Sequence, residues 1–279
     1  MQNTQTNLDQ KVADGFGDEW SRFDQTGLST REREDIFNEY FAIFPWDKLP
    51  AQAVGFDLGC GSGRWAQVVS TRVGTLHCID ASDAALAVAR RNLSTQSNCQ
   101  FHHASVEAIP LADGSADFGY SLGVLHHVPD TMAGLKSCVA KLKPGAPFLV
   151  YLYYRFDNRP LWFRAIWGLS DGLRRVTSKL PHGPRYLCSQ VLAGLVYWPL
   201  ARGANLLSKL GLRTDTIPLS YYKDKSFYVM RTDALDRFGT RLEQRFTRLE
   251  IKHMMEAAGL RDVTFSPDTP HWCAVGIKN

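Results

Sequence analysis

Several common signals are missing from this 279-residue chain, and each absence removes a class of protein. There is no low-complexity tract and no internal repeat, so neither a solenoid nor a disordered tail is indicated. The six cysteines (60, 78, 99, 138, 188 and 273) form no C-x-x-C pair and no zinc spacing. They read as reduced core thiols of a cytoplasmic protein. Met1 is followed by Gln, Asn and Thr rather than by a basic and then apolar leader, so no signal peptide is expected. The stretch Tyr186 to Ala201 carries no formal charge over 16 residues, but it is short for a membrane span and is interrupted by Ser189, Gln190 and Pro199. The G-x-G-x-x-G dinucleotide fingerprint is absent as well.

A different glycine pattern stands where that fingerprint would be. Residues 54–66 run from an apolar strand into Asp57, then through Gly59, Gly61 and Gly63 at every second position, and on into a helix-competent segment. Glycines so spaced let the backbone turn with no side chain in the way, so a ligand can lie against bare peptide N–H groups and a helix start. Leu76 to Asp80 then ends a second apolar strand on a carboxylate, placed to accept from ribose hydroxyls. A pyrophosphate would be repelled by Asp57. S-adenosylmethionine, with a ribose, an ammonium, a sulfonium and no phosphate, suits both carboxylates.

Further segments carry a family resemblance. Ile79-Asp80-Ala81-Ser82, Ala108-Ile109-Pro110-Leu111 with Asp113 to Phe118, Gly123 to Asp130 with its His126-His127 pair, and Leu142-Lys143-Pro144-Gly145 follow in order. From Asp57 to about Tyr154 the chain resembles class I S-adenosylmethionine-dependent methyltransferases, in the small-molecule branch that includes the ubiquinone and menaquinone enzymes. The resemblance implies that Asp57 anchors the ammonium and that Gly59, Cys60 and Gly61 offer backbone to the methionine moiety. It implies that Asp80 and Ala81 meet the ribose and that Ser121 and Leu122 present a carbonyl to the ammonium. Ser105, followed by Val106, stands where the family usually has an adenine-binding Asp, which is a departure from its pattern.

Strand and helix patterns alternate from residue 51 onward. Strands are expected near 53–58, 75–80, 99–103, 116–121 and 146–153, and helices near 63–71, 82–94 and 130–142, with a weak one between 104 and 110. Such alternation predicts an α/β, Rossmann-like, doubly wound and mostly parallel sheet, with ligands at the carboxyl ends of its strands. Thr247-x-x-Glu250 is a capping box opening a helix that stops at Gly259, and strands at 262–266 and 271–277 would add the antiparallel C-terminal closure. Residues 1–154 are therefore expected to form a leader plus the cofactor-binding core, 155–225 a helical insertion, and 226–279 the completion of the core.

Net charge is +4, but it is unevenly distributed. Residues 1–154 hold 12 basic and 17 acidic side chains, residues 155–220 hold 10 and 3, and residues 221–279 hold 10 and 8. The middle segment, with Trp162, Phe163, Ile166, Trp167 and Leu169 at helical spacing, reads first as a lid or dimer surface and second as a helix lying on a membrane surface. Residues 1–12 are polar and expected to fray. In the leader, Ile36, Tyr40 and Phe44 share a helical face, and its aromatics either fold over the cofactor or pack on the sheet edge.

Methyl transfer needs alignment and water exclusion more than it needs catalytic groups. A base is required only where the acceptor loses a proton. His127, and next to it His126, are the candidates, since they follow the fourth strand at the crevice mouth. The null for them is a capping or packing role. His102 and His103 point to opposite strand faces and make poor joint metal ligands, so no metal is expected. Tyr153, Tyr154, Tyr221 and Tyr222, which flank the insertion, are candidates for acceptor binding or for pinning a lid.

The function expected is methyl transfer from S-adenosylmethionine to a small-molecule or lipid- or sugar-linked acceptor. Rivals are methylation of RNA or protein, a non-catalytic cofactor-binding subunit, and a nicotinamide dehydrogenase. Nucleic acid is disfavoured because the chain lacks an Asn/Asp-Pro-Pro-aromatic tetrapeptide and a recognisable RNA-binding module. Peripheral membrane contact or a homodimer through the insertion remain open as partnerships.

Overall fold

A computed structural model describes residues 7–270 and 272–279. The first half of the expected frayed N-terminus, and residue 271 at the start of the last expected strand, lie outside the described residues. Two compact units are present: residues 1–24, 33–155 and 242–279 form one, and residues 25–32 with 156–241 form the other.

The first unit is built on a seven-stranded sheet of order β3-β2-β1-β4-β5-β7-β6. Its strands are β1 (Val54–Leu58), β2 (Thr75–Asp80), β3 (Cys99–His103), β4 (Phe118–Leu122), β5 (Pro147–Tyr151), β6 (Leu260–Phe265) and β7 (Cys273–Lys278). Neighbours among β1 to β5 pair in parallel, while β7 runs antiparallel to both β5 and β6. The expected Rossmann-like, mostly parallel sheet with an antiparallel C-terminal strand is therefore present. β1 and β4 are buried almost throughout, which is why they read as continuous apolar runs rather than alternating ones. Strand order reverses between β1 and β4, and a doubly wound sheet opens its ligand crevice at that point.

Helices α1 (Gln10–Arg22), α2 (Thr30–Tyr40), α3 (Ala66–Val69), α4 (Asp83–Asn92) and α5 (Thr131–Lys141) come before residue 156 in the chain. The expected helix at 63–71 shortens to α3 plus a 3-10 turn, because Gly63 takes a left-handed φ of 76° that no helix accommodates. The weak helix at 104–110 is a single 3-10 turn, Val106–Ala108. α2 stops at Tyr40, so Phe44 leaves the helical face it was expected to share; Pro45 follows it and disfavours helix at residue 44.

The second unit holds α6 (Leu161–Thr177), α7 (His182–Leu192), a π turn at Ala193–Tyr197, α8 (Trp198–Lys209) and α9 (Phe227–Gly239). It extends to Arg241, so residues 226–241 belong with these helices and not with the sheet. The reason is apolar: Met230, Ala234 and Phe238 of α9 bury themselves with Ala193, Tyr197 and Ala201. The chain then re-enters the first unit, where α10 (Arg248–Ala257) begins in the expected reciprocal capping box of Thr247 and Glu250. It ends before Gly259, whose φ of 98° suits a helix stop.

Candidate active site

The glycine turn after β1 is held by its own backbone. Gly59 and Cys60 both donate to the Ile79 carbonyl, at 2.7 and 3.0 Å, and Gly63 donates to the Cys60 carbonyl at 2.8 Å. The Gly61 N–H goes to Asp80 Oδ2 at 2.8 Å. The expectation of bare N–H groups along this turn is thus corrected: at these four positions they are consumed internally. A loop without spare donors there has little to offer a phosphate, which strengthens the charge argument against a pyrophosphate ligand.

Asp80 does two things at once. Its Oδ1 accepts from the Ser82 N–H at 2.8 Å while Oδ2 holds Gly61, so one carboxylate ties the end of β2 to the glycine turn. Burial pushes its pKa up, and the Ser82 and Gly61 donors, with the His103 imidazole, pull it back down. His103 is fixed through its Nε2 to the Ala81 carbonyl at 3.0 Å. Each carboxylate oxygen keeps a second lone pair for a ribose hydroxyl. Ser105 and Val106 follow β3 at the same rim, with Val106 buried.

Asp57 is different in kind. It is 1% exposed, and neither carboxylate oxygen is closed on by a hydrogen-bond donor among the described residues. Burial drives its pKa well above the usual carboxylate range; the facing Tyr120 hydroxyl opposes the shift, and Asp80 adds to it. An isolated buried carboxylate is costly and demands a cation or a proton. Across the switch point, the buried Ser121 hydroxyl donates to the Leu58 carbonyl at 3.0 Å, stitching β4 to β1. Leu122 is also buried.

The histidine pair sits in a 3-10 turn after β4, Leu125–His127. His127 is 3% exposed and its Nδ1 lies 2.6 Å from the Leu242 carbonyl. A carbonyl only accepts, so Nδ1 carries the proton and Nε2 is the basic nitrogen of the neutral ring. His126 is fully buried with no hydrogen-bond partner on either nitrogen among the described residues. Burial lowers its pKa, helped by His127 and Arg245, which keeps it neutral. Its ring stacks on Tyr153 with centroids 3.9 Å apart, and Tyr153 lies 5.6 Å from His127 and 5.8 Å from Tyr151. Arg245 caps the other side of Tyr153 at 5.0 Å.

Of the four tyrosines at the ends of the insertion, only Tyr153 joins this group. Tyr154 turns into the core against Trp272, because neighbours in extended chain face opposite ways. Tyr221 and Tyr222 lie in the second unit, where Tyr222 packs on Tyr197, whose hydroxyl donates to Asp233 at 3.1 Å.

Residues unmarked by any motif complete the crevice. Tyr40 packs edge-on to Tyr151 at 5.1 Å and against Trp65 at 4.8 Å. Gln244 donates through its backbone to the His126 carbonyl at 2.9 Å and through its side chain to that of Val128 at 2.7 Å, locking the histidine turn. The leader does cross this region. A Cβ at Gly61 would come within 2.7 Å of Trp20 Nε1, a Cβ at Gly17 would meet Ser82 Oγ at 2.5 Å, and the Phe16 ring is 5.0 Å from His127. Phe16 and Trp20 stand four residues apart on α1, so one helical face roofs both the glycine turn and the histidines.

These features fit S-adenosylmethionine. The unpartnered Asp57 suits its ammonium, Asp80 its ribose, and the glycine turn withholds N–H donors from an anion. No group of three or more His, Cys, Asp or Glu residues placed to hold a metal occurs among the described residues. His77 Nδ1 and His102 Nε2 simply bond each other at 2.9 Å.

Comparisons with known proteins agree with this geometry. Residues 56–150 match the methyltransferase domain family. Over 136 residues the chain is 29% identical to a ubiquinone biosynthesis O-methyltransferase of Azotobacter vinelandii, covering 46% of this chain and 59% of that protein. A namesake from Aromatoleum aromaticum is 32% identical over 129 residues, covering 46% and 53%. The chain thus matches somewhat more than half the length of these relatives. A solved S-adenosylmethionine-dependent methyltransferase of Aquifex aeolicus has the same fold, with a TM-score of 0.50 and 14% identity over 92% of this chain and 96% of that one.

Proposed function

With a class I S-adenosylmethionine-dependent methyltransferase domain at its core, we propose that this protein methylates a small, hydroxyl-bearing acceptor that lies against its aromatic crevice wall. The observation that carries the reading is Asp57, a buried carboxylate faced only by the Tyr120 hydroxyl and not closed on by any donor at hydrogen-bond distance among the described residues, beside a second carboxylate locked into the glycine turn. When bound, S-adenosylmethionine supplies a methyl carbon on a sulfonium, a leaving group already activated.

The residues of this chain then have three tasks. Asp57 and Asp80 fix the donor by its ammonium and ribose. Phe16 and Trp20 on α1 exclude water from above, while Tyr40 and Tyr151 offer ring surface to an acceptor and Tyr153, its faces taken by His126 and Arg245, offers its edge. His127 Nε2 takes the acceptor hydroxyl's proton as the oxygen attacks, and the Leu242 carbonyl, holding the proton on Nδ1, leaves Nε2 free to accept it and steadies the imidazolium that results. That the ubiquinone relatives are named O-methyltransferases favours oxygen as the atom attacked, although a phosphoethanolamine N-methyltransferase of Caenorhabditis elegans also matches. His126, buried and stacked, positions Tyr153 and does not itself exchange protons.

The test is calorimetry with S-adenosylhomocysteine followed by a labelled-methyl assay on extracted small metabolites. His127→Ala is expected to bind S-adenosylhomocysteine within about twofold of wild type while turnover falls about 100-fold, the usual size of a lost general base. Full turnover in that variant would return His127 to a packing role. Tight binding with no labelled product from any extract would favour a non-catalytic subunit.

A further inference from the structure

α6 and α7 are patterned backwards for surfaces facing water. The inner side of α6 starts apolar, with Phe163 and Trp167 against the buried Phe156, and turns polar in its second half: Arg174 is buried and donates to the carbonyls of Thr240 and Arg241, and Thr177 donates to that of Phe238 at 2.6 Å. Its outer side is apolar. Trp162, Ile166, Leu169, Leu173 and Val176 recur every three or four residues and are 48, 49, 79, 43 and 64% exposed. α7 repeats the inversion, burying Arg185 and Ser189 while turning Leu187 and Val191 outward at 64 and 48%. Leu195 and Trp198 continue the exposed apolar surface past the π turn. Single exposed leucines need no explanation, but aligned stripes on consecutive helices do.

The charges around these stripes select what meets them. Within residues 156–220 the exposed charged side chains are Arg164, Arg175, Lys179, Lys209 and Arg213 against only Asp157 and Asp215. A second copy of this chain would bring the same positive field to the contact, whereas an anionic lipid surface would neutralise it. Lys209 and Arg213 are interleaved with the exposed Leu210 and Leu212, an arrangement in which long basic side chains reach headgroups beside buried leucines. No described helix is long and apolar enough to cross a membrane.

We propose that this helical unit docks peripherally on an anionic lipid bilayer, with the α6 stripe at the acyl boundary and the basic residues at headgroup level. The proposal is independent of the assignment of methyl transfer. The test floats the full chain with vesicles of phosphatidylcholine containing about one-third phosphatidylglycerol, and with phosphatidylcholine alone. The chain is expected to float with the first, at least about tenfold less with the second, and less again as salt rises. Leu169→Glu with Leu173→Glu is expected to lower flotation by about tenfold or more, with the thermal melt unchanged. Lys179→Glu, Lys209→Glu and Arg213→Glu together are expected to erase the preference for anionic lipid, which tests the idea separately should the first variant misfold. Absence of flotation with anionic vesicles would overturn the proposal. So would a concentration-dependent dimer that the Leu169/Leu173 variant splits and that ignores vesicles.

Discussion

The two units of this chain obey the same solvent physics with opposite patterning. In the sheet unit, apolar rings such as Phe56, Phe118 and Phe148 are fully buried, and the costly charged exception is Asp57, a dry carboxylate faced only by the Tyr120 hydroxyl. In the helical unit α9 and the π turn bury an ordinary apolar cluster, but α6 and α7 invert it: Arg174, Thr177, Arg185 and Ser189 are inside, while Leu169, Leu173, Leu187 and Trp162 are outside. A local violation of burial rules points to a ligand that completes a site, and a violation repeated along helices points to a surface that another medium covers. The first is a matter of a single charge, the second of area. The contrast yields predictions of unequal size.

The largest concerns the single charge. Asp57→Asn keeps the shape and removes the buried negative charge. The protein without cofactor should melt higher, since an unpaired ion no longer has to be desolvated, while affinity for S-adenosylhomocysteine should fall by about 3 kcal/mol or more. Thermal melts with and without that compound would measure both. A variant that binds normally would remove Asp57 from the site and leave its burial unexplained.

The same carboxyl sets a pH dependence of opposite sign for stability and for binding. Its folded pKa is raised by burial above the unfolded value, so its contribution to stability is fully present below the ordinary carboxylate range and is lost as pH rises through the raised pKa. A bound cation needs the ionised form, so affinity should rise over that same window, by up to about tenfold per pH unit. Titrating binding upward from the ordinary carboxylate range should show the trend in wild type and a flat response in Asp57→Asn. A flat response in both proteins would mean that the crevice supplies Asp57 with a cation of its own.

How much of this was legible beforehand follows from the range of each interaction. β1 to β5, the glycine turn and the Thr247 capping box are written in local patterns, and the chain folds them close to where those patterns lie. The spent N–H groups of the turn were not legible, because their acceptors, Ile79 and Asp80, come from the neighbouring strand. Tyr153 and Tyr154 look equivalent in sequence and are separated only by strand parity. Gln244 and Arg245 carry no motif at all; they reach the histidine turn because the chain re-enters the sheet unit at Leu242, ahead of α10. The inverted helices were half legible: the aromatic spacing of α6 was visible, but which face turned inward depended on carbonyls at 238–241 that no window of sequence connects to it.

The smallest effects sharpen the other side of the comparison. If α6 is inverted, the stability it contributes should depend on its inward polar residues and ignore its outward apolar ones. Arg174→Met leaves the Thr240 and Arg241 carbonyls without their donor and Asp171 without one of its two arginine partners. Burial would push the pKa of Asp171 up, but Arg174, with Arg175, holds it below the ordinary value. The loss should be about 2–3 kcal/mol, read as a fall in the denaturation midpoint of the full chain. Leu169→Ala, at a site 79% exposed, should change the same midpoint by less than about 0.5 kcal/mol. Reversed magnitudes would mean that the leucine stripe is covered from within the protein in solution, and the distinction between the two units would then reduce to an ordinary core in each.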